Sequence, residues 1–393
     1  MKSILDQNLV LEGKKVIVRV DLNVPMKDGS ITEASRIVKI LPTLKLLIEK
    51  EAKIVILSHI GRPKGKVVKG MSLEPISKKL SDLLDIKILF NKDEINEKTF
   101  IEINKIPNGS VMMMENIRFY EQEEQNDDSF SEKISGLGDI YINDAFSCSH
   151  RAHSSIEGIT KYIPSYCGLQ FIEEINALKK ITSEITKPIT CIIGGSKIST
   201  KIKIISNLIK IFDNIIIVGG MGNAMLKNTG INIGKSVCDD GYKDLVEEIL
   251  KESKAHDCKI YYPLDVVVSK ELNGNGTVKE INEVNNDEMI LDIGPKTILS
   301  IKNIVDASNT VLWNGPAGYF ENPNFARGTK EILEIIANKK SKDKIYAVAG
   351  GGETVAVINR FNKLDSFNFV STAGGAFLEY LEGKKLPGIK ALN

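Results

Sequence analysis

Short apolar, β-branched runs alternate with amphipathic segments along the whole chain. In the first half the runs are 14–23 (KKVIVRVDLN), 52–59 (AKIVILSH), 87–90 (KILF), 110–117 (SVMMMENI) and 139–146 (DIYINDAF), and each predicts a strand. In the second half they are 188–195, 214–220, 259–268, 289–294, 309–315, 344–351 and 367–372. Between them, 34–50, 73–84, 197–212, 242–253 and 329–339 carry apolar positions at helical spacing. Strands that are apolar almost throughout, alternating with helices, predict parallel sheets covered on both faces. The chain is long enough for two doubly wound α/β domains, each with a mainly parallel sheet of about six strands. A helix over 169–181 follows Gly168 and links them, which puts the boundary near residue 170.

Composition narrows the class. Hydrophobic content of 42% and charged content of 26% are those of a globular protein with a sizeable core. A net charge of +1 leaves no one-sign field for nucleic acid or a membrane surface, so any anion site must be local. The five cysteines are scattered and form no CxxC pair, which predicts reduced thiols and a cytoplasmic setting. The N-terminal MKSILDQNLV lacks the features of a signal peptide, and no apolar run approaches the ~18 residues of a membrane helix.

Lysine is the default cation. Of 52 basic residues only seven are arginine, at 19, 36, 62, 118, 151, 327 and 360. The planar guanidinium grips phosphate or carboxylate at two points, which an ammonium cannot do. Five of the seven lie in the first 151 residues. Each taken singly has two readings, an anion fork or a structural ion pair.

In open parallel sheets ligands bind beyond the carboxyl ends of the strands. In the first half those ends carry Asp21 and Asn23, then His59, Gly61 and Arg62, then Arg118, then Asp144 and the cluster CSHRAH (148–153). In the second half they carry Gly194-Gly195-Ser196-Lys197, Gly219-Gly220, Asp265, Asp292, Asn314-Gly315 and Gly350-Gly351-Gly352-Glu353-Thr354. Glycine turns expose backbone N–H groups and let phosphate approach a helix N-terminus. The asymmetry predicts two anionic ligands, one per domain. Lys197 and Lys201, four apart behind a glycine pair, would share a helix face and span a polyphosphate; the competing reading is a solvated lysine face. Cys148, His150 and His153 have the spacing of a metal ligand set, but Arg151 sits among them and no carboxylate cluster offsets it. GGSKIST (194–200) is not a P-loop, and GGMGNAM (219–225) breaks the dinucleotide fingerprint at Met225. That disfavours a nucleoside triphosphatase and a nicotinamide-dependent dehydrogenase.

Taken as a set, RVDLNVP (19–25), SRI (35–37), HIGRPKG (59–65), ENIRF (115–119), NDAFSCSHRAHSS (143–155), GGSKIS (194–199), DIGPKT (292–297), WNGPAGYFE (313–321), AGGGETV (349–355) and STAGGAFLEYLEGKKLPG (371–388) resemble the phosphoglycerate kinase family. The resemblance implies two Rossmann-like domains facing across a cleft. The N-terminal one spans 1–170 with 373–393 returning to it, and the C-terminal one spans 171–372. It implies a cytoplasmic monomer that closes about a hinge. The implied reaction interconverts 1,3-bisphosphoglycerate plus MgADP with 3-phosphoglycerate plus MgATP.

Carried over by motif, the acid-substrate site is Asp21, Asn23, Arg36, His59, Arg62, Arg118 and Arg151, with His150 added to the basic patch. The nucleotide site is Gly195, Lys197, Lys201, Gly219, Gly220, Asn314, Glu321 for the ribose, and Gly351, Gly352, Glu353 and Thr354. Arg36, Lys197, Gly374 and Gly375 are the implied screen for the moving phosphoryl group, and Glu353 the implied Mg²⁺ ligand. On this reading Arg151 makes CSHRAH an anion site, Cys148 is a packed thiol, and His153 is bonded within its turn. Three departures stand out. Glu353 replaces the family's aspartate, Ala373 replaces the first glycine of STGGG, and GGMGN replaces GGGMA on the adenine side. A non-catalytic ligand-binding relative is the alternative these changes leave.

Overall fold

Strand Lys15–Arg19 shows why the apolar runs are so nearly continuous. Val16 and Val18 enter one core with Ile54, Ile56 and Val111, while Ile17 enters a second with Val55, Leu57, Met112 and Tyr141. Successive side chains point to opposite faces, and both faces are covered, so neither parity can be polar. The computed structural model describes residues 1–27, 29–342 and 344–393. It divides into two compact units, 1–176 with 385–393, and 177–384.

The first unit holds a six-stranded sheet in the order Ile88–Asn91, Val111–Met114, Lys53–Leu57, Lys15–Arg19, Ile140–Asn143, Ser165–Cys167, parallel throughout. The last strand has no apolar run to announce it. It exists because Ile140–Asn143 pairs with it and because the N-terminus crosses it, Cys167 N–H donating to Lys2 O at 3.0 Å. The expected helix over 34–50 is two helices, Ser35–Lys39 and Leu41–Glu49, because Pro42 opens the second and has no N–H to continue the first.

In the second unit the order is Lys259–Tyr261, Asn214–Ile217, Ile189–Ile193, Thr310–Asn314, Tyr346–Gly350, Phe369–Ser371, again all parallel. The run over 259–268 does not form one strand. Pro263 cannot donate to a ladder, and the chain restarts as Asp265–Ser269 in a separate antiparallel sheet with Thr277–Glu280 and Met289–Ile293. The strand expected at 289–294 therefore belongs to this small sheet and not to the main one.

Helix Leu169–Thr182 carries the chain from one unit to the other, and the division falls within it, after Asn176. The returning segment begins at Lys385, not near 373. Helix Gly375–Leu381 stays with the second unit because Asn207 Nδ2 donates to Leu381 O at 2.7 Å and Phe377 packs on Gly350.

Each sheet reverses its strand order once. In the first the reversal lies between Lys15–Arg19 and Ile140–Asn143, in the second between Ile189–Ile193 and Thr310–Asn314. A crevice forms at such a point because the loops leaving the two strands diverge to opposite faces.

Candidate functional site

At the reversal point of the first sheet, Asp21 follows one central strand and Ser147 the other, and Ser147 Oγ donates to Asp21 Oδ2. Arg36 Nη1 donates to the same carboxylate oxygen at 2.8 Å and to Asn23 O at 3.0 Å. Asn23 Oδ1 accepts from Gly61 N–H at 2.9 Å, and Gly61 O accepts from Arg118 Nη1 at 2.8 Å. Gly61 thus couples the first strand's loop to Arg118, and it delivers Arg62, whose side chain is exposed.

The motif ENIRF builds the far wall. Glu115 accepts from Leu73 N–H at 2.8 Å and from Ser72 Oγ at 2.7 Å; Asn116 donates to Ile60 O at 2.8 Å. These bonds fix the 60–73 loop on which Arg62 stands. Arg151 Nε donates to His150 Nε2 at 3.2 Å, so His150 spends that nitrogen as an acceptor.

Beneath this surface lies a buried polar network. Arg19 is fully buried; its Nε donates to Ser155 Oγ at 2.9 Å, and Ser155 donates to Glu123 Oε1 at 2.6 Å, Glu123 being fully buried too. Arg19 Nη2 lies 3.1 Å from His59 Nδ1. A guanidinium only donates, so Nδ1 accepts and the neutral ring carries its proton on Nε2. Burial first, then the charges of Arg19, Arg118 and Arg151, holds His59 well below the usual imidazole range. The same causes, burial foremost, bring His153 down to about 3. Burial raises Glu123, with Arg19 as the main opposing charge.

His153 is held in its turn by its carbonyl, which accepts from Ile156 N–H at 3.0 Å and Glu157 N–H at 2.8 Å, and not by its ring. Cys148 is buried, as a packed thiol would be. Among the described residues, the one group with metal-ligand spacing is Asp21, His59 and Cys148, not the set in CSHRAH. Arg19 already occupies it, with Nη2 4.0 Å from Cys148 Sγ as well as on His59. A guanidinium in that position repels a cation.

The second reversal point opens on a cavity with an empty volume of ≈ 860 Å³. Its loops approach so closely that glycine is required: a Cβ on Gly194 would lie 2.0 Å from Pro316 O, and one on Gly315, at φ +100°, 2.2 Å from Gly194 O. Gly195, Gly219, Gly220, Glu321 and Glu353 line the cavity.

Lys197 and Lys201 do not share a helix face. Residues 198–200 form a 3₁₀ turn and the α-helix starts at Ile202. Two captures impose this. Asp239 accepts from Ser199 Oγ at 2.8 Å and Ser199 N–H at 3.2 Å, and Lys201 Nζ turns back to Gly194 O and Asn314 Oδ1, both at 2.6 Å. Lys197 is left exposed. Burial brings Lys201 down to about 8, with the Glu353 charge opposing the shift. Asp239 was not singled out in the sequence, because nothing in VCDDGY indicates a partner 40 residues upstream.

Asn314 ties this loop to the next strand by donating to Gly350 O at 2.6 Å, and Thr354 Oγ1 accepts from Gly315 N–H at 2.7 Å. Gly351, Gly352 and Glu353 open helix Gly352–Arg360, with Gly351 at φ +94°. Asp292, on the cavity wall, accepts from Ile293 N–H at 2.9 Å and Gly328 N–H at 2.7 Å; burial raises it to about 7. Gly374 takes φ +56° and caps the helix that Gly375 begins, so left-handed backbone is needed there and not at Ala373.

Asp21, Asn23, Arg36, His59, Arg62, Arg118, His150 and Arg151 thus lie in the first unit, and the predicted glycines, Lys197, Lys201, Asn314, Glu321, Glu353 and Thr354 in the second. The phosphoglycerate kinase family model matches residues 6–384. Phosphoglycerate kinases of Maricaulis maris (strain MCS10) and Xanthobacter autotrophicus (strain ATCC BAA-1158 / Py2) are each 43% identical, over 98% and 97% of this chain and 96% and 97% of their own length. The solved phosphoglycerate kinase of Coxiella burnetii superposes with a TM-score of 0.91 at 39% identity, covering 98% of this chain and 97% of that one. That of Pyrococcus horikoshii OT3 superposes at 0.83 and 29%, covering 100% and 98%. With both sheets and both crevices inside the matched span, this chain belongs to the phosphoglycerate kinase family.

Proposed function

We propose that the chain catalyses reversible phosphoryl transfer from 1,3-bisphosphoglycerate to MgADP, giving 3-phosphoglycerate and MgATP. One observation carries the reading. Two anion sites of different build stand at the two reversal points, arginine forks around Gly61 in the first unit and glycine turns with Lys201 in the second. Arg62, Arg118 and Arg151, with His150, take the 3-phosphate of the acid substrate. Asp21 and Asn23 position its remaining polar groups, and His59 offers an Nε2–H donor. Gly195, Gly219, Gly220, Lys201 and the turn Gly351–Thr354 hold the nucleotide phosphates, Asn314 braces that turn, and Glu321 takes the ribose.

The acceptor in the ATP-forming direction is a phosphate oxygen, and in reverse it is a carboxylate; both are ionised near neutral pH and need no general base. A neutral, donor-only His59 agrees with that. The remaining work is to align the anions and screen the charge on the moving group, which falls to Arg36, Lys197 and the amides of Gly374 and Gly375. Glu353 is an exposed carboxylate on the cavity wall, while the Asp292 oxygens are taken by backbone N–H groups. Glu353 therefore fits Mg²⁺, which accepts a single carboxylate and completes its shell with phosphate oxygens and water. Bound there, the ion screens the phosphate charge. On the family resemblance we read the chain as a cytoplasmic monomer whose units close to bring the two substrates in line.

Purified protein given 3-phosphoglycerate, MgATP and a reporter for 1,3-bisphosphoglycerate is expected to turn over. Binding of both ligands without turnover would instead mark a non-catalytic relative. A pH profile tests Lys201. Its ammonium is the phosphate-binding form, and the free enzyme loses it as pH rises through about 8. The nucleotide kcat/KM should fall above that pH, approaching tenfold per unit, with no matching limb for 3-phosphoglycerate. A flat nucleotide profile would remove Lys201 from the phosphate site.

A further inference from the structure

Helix Gly220–Asn228 opens on the cavity with Gly220 and, three residues on, Asn223. Spacing of three puts both on one helix face. Gly220 is where phosphate can approach the backbone; Asn223 is a buried amide, 2% exposed, in the same wall. Its Nδ2 donates to Val237 O at 3.1 Å, and because a carbonyl only accepts, this bond settles which end of the amide is oxygen. Oδ1 is buried and has no hydrogen-bond donor. A buried acceptor left unpaired is costly, and a ligand that supplies the missing N–H recovers that cost. Nearby walls are apolar, with Pro263, Leu272 and Ile290 forming a surface suited to a flat heterocycle.

We propose that Asn223 is a base-specificity residue: its Oδ1 accepts from the 6-amino group of adenine, so the chain favours 6-aminopurine over 6-oxopurine nucleotides. The inference rests on the phosphoryl-transfer reading above and adds the base to it. A 6-oxo group would set acceptor against acceptor, leaving Oδ1 unpaired and the ligand oxygen desolvated. A site built to pair an N–H rejects the analogue that lacks it far better than an apolar pocket rejects a methylene.

The test compares kcat/KM for MgATP, MgITP and MgGTP at saturating 3-phosphoglycerate, with calorimetric binding of ADP and IDP alongside. The wild type is expected to favour ATP over both others by about 10- to 100-fold. Asn223→Leu should bring ATP down towards the ITP value, through the nucleotide KM and not the 3-phosphoglycerate KM. Equal use of ATP and ITP by the wild type overturns the proposal, as does a Leu variant that keeps the wild-type ratio. Equal use of ATP and GTP with poor ITP would mean that a 2-amino group can be read, and it also overturns the 6-amino assignment. Should the Leu variant not fold, Asn223→Ala and the wild-type ratios decide. Turnover without base discrimination sinks this inference alone. Failure to bind or turn over any nucleotide sinks the phosphoryl-transfer reading and this inference with it.

Discussion

Arg19→Met is expected to destabilise the first unit by about 3–5 kcal/mol, the usual cost of leaving a buried charge without its partner. Arg19 and Glu123 are both fully buried and communicate through Ser155, at 2.9 and 2.6 Å. Without the guanidinium, Glu123 must either take a proton or sit uncompensated in the core. For a unit of this size the loss corresponds to a fall in Tm of roughly 10 °C, measured by thermal unfolding. Arg19→Met combined with Glu123→Met should recover part of it, because the second change removes the orphaned charge. A single variant that melts within a degree or two of wild type would show the network to be energetically idle.

The same substitution should release His59. Burial and neighbouring guanidinium charge keep its ring neutral, Arg19 first among those charges. A group whose folded pKa is depressed stabilises the fold above its unfolded value and loses that contribution as pH falls through the folded value. Removing Arg19 raises the folded value, so the acid-side loss from His59 should begin at higher pH in the variant.

Arg36→Ala is expected to lower kcat by about 10²–10³, or ~2.7–4 kcal/mol at the barrier, the range seen when a preorganised transition-state donor is removed. Two effects act together. The proposed screen for the moving phosphoryl group is lost, and Asp21, paired with Arg36 at 2.8 Å, becomes an uncompensated anion beside anionic substrates. Arg36→Lys should recover the charge but not the fork that reaches both Asp21 and Asn23, so its rate should fall between. The nucleotide KM should hardly move. Steady-state rates in both directions check this, with circular dichroism to show folded protein. A kcat within threefold of wild type would take Arg36 out of the transition state.

Much of this was legible in one dimension, for identifiable reasons. Strands such as 15–19 and 53–57 stood out because both faces are buried, so every residue had to be apolar. The ligand-bearing ends stood out because polar and glycine residues interrupt those runs. The misreadings share a different cause. Strand Ser165–Cys167 is three residues long and is created by its neighbours. The run over 259–268 looked continuous because its valines are buried on either side of Pro263, whichever sheet they join. Lys197 and Lys201 were expected on one helix face by spacing, but Asp239 and Asn314, distant in sequence, hold that segment as a 3₁₀ turn.

Local sequence therefore determined the α/β class, the two sheets and the residue types at their carboxyl ends, because burial and glycine conformation act over a few residues. Tertiary structure decided which cations are exposed and which are spent internally. Arginine scarcity could not separate Arg19 from Arg62; one is sealed into a buried network and the other faces solvent. Nor could spacing show that Asn223 would be left with an unpaired oxygen in a cavity wall. Hydrogen bonding and desolvation depend on partners tens to more than a hundred residues away, and those partners meet only when the strands take their order in the sheet.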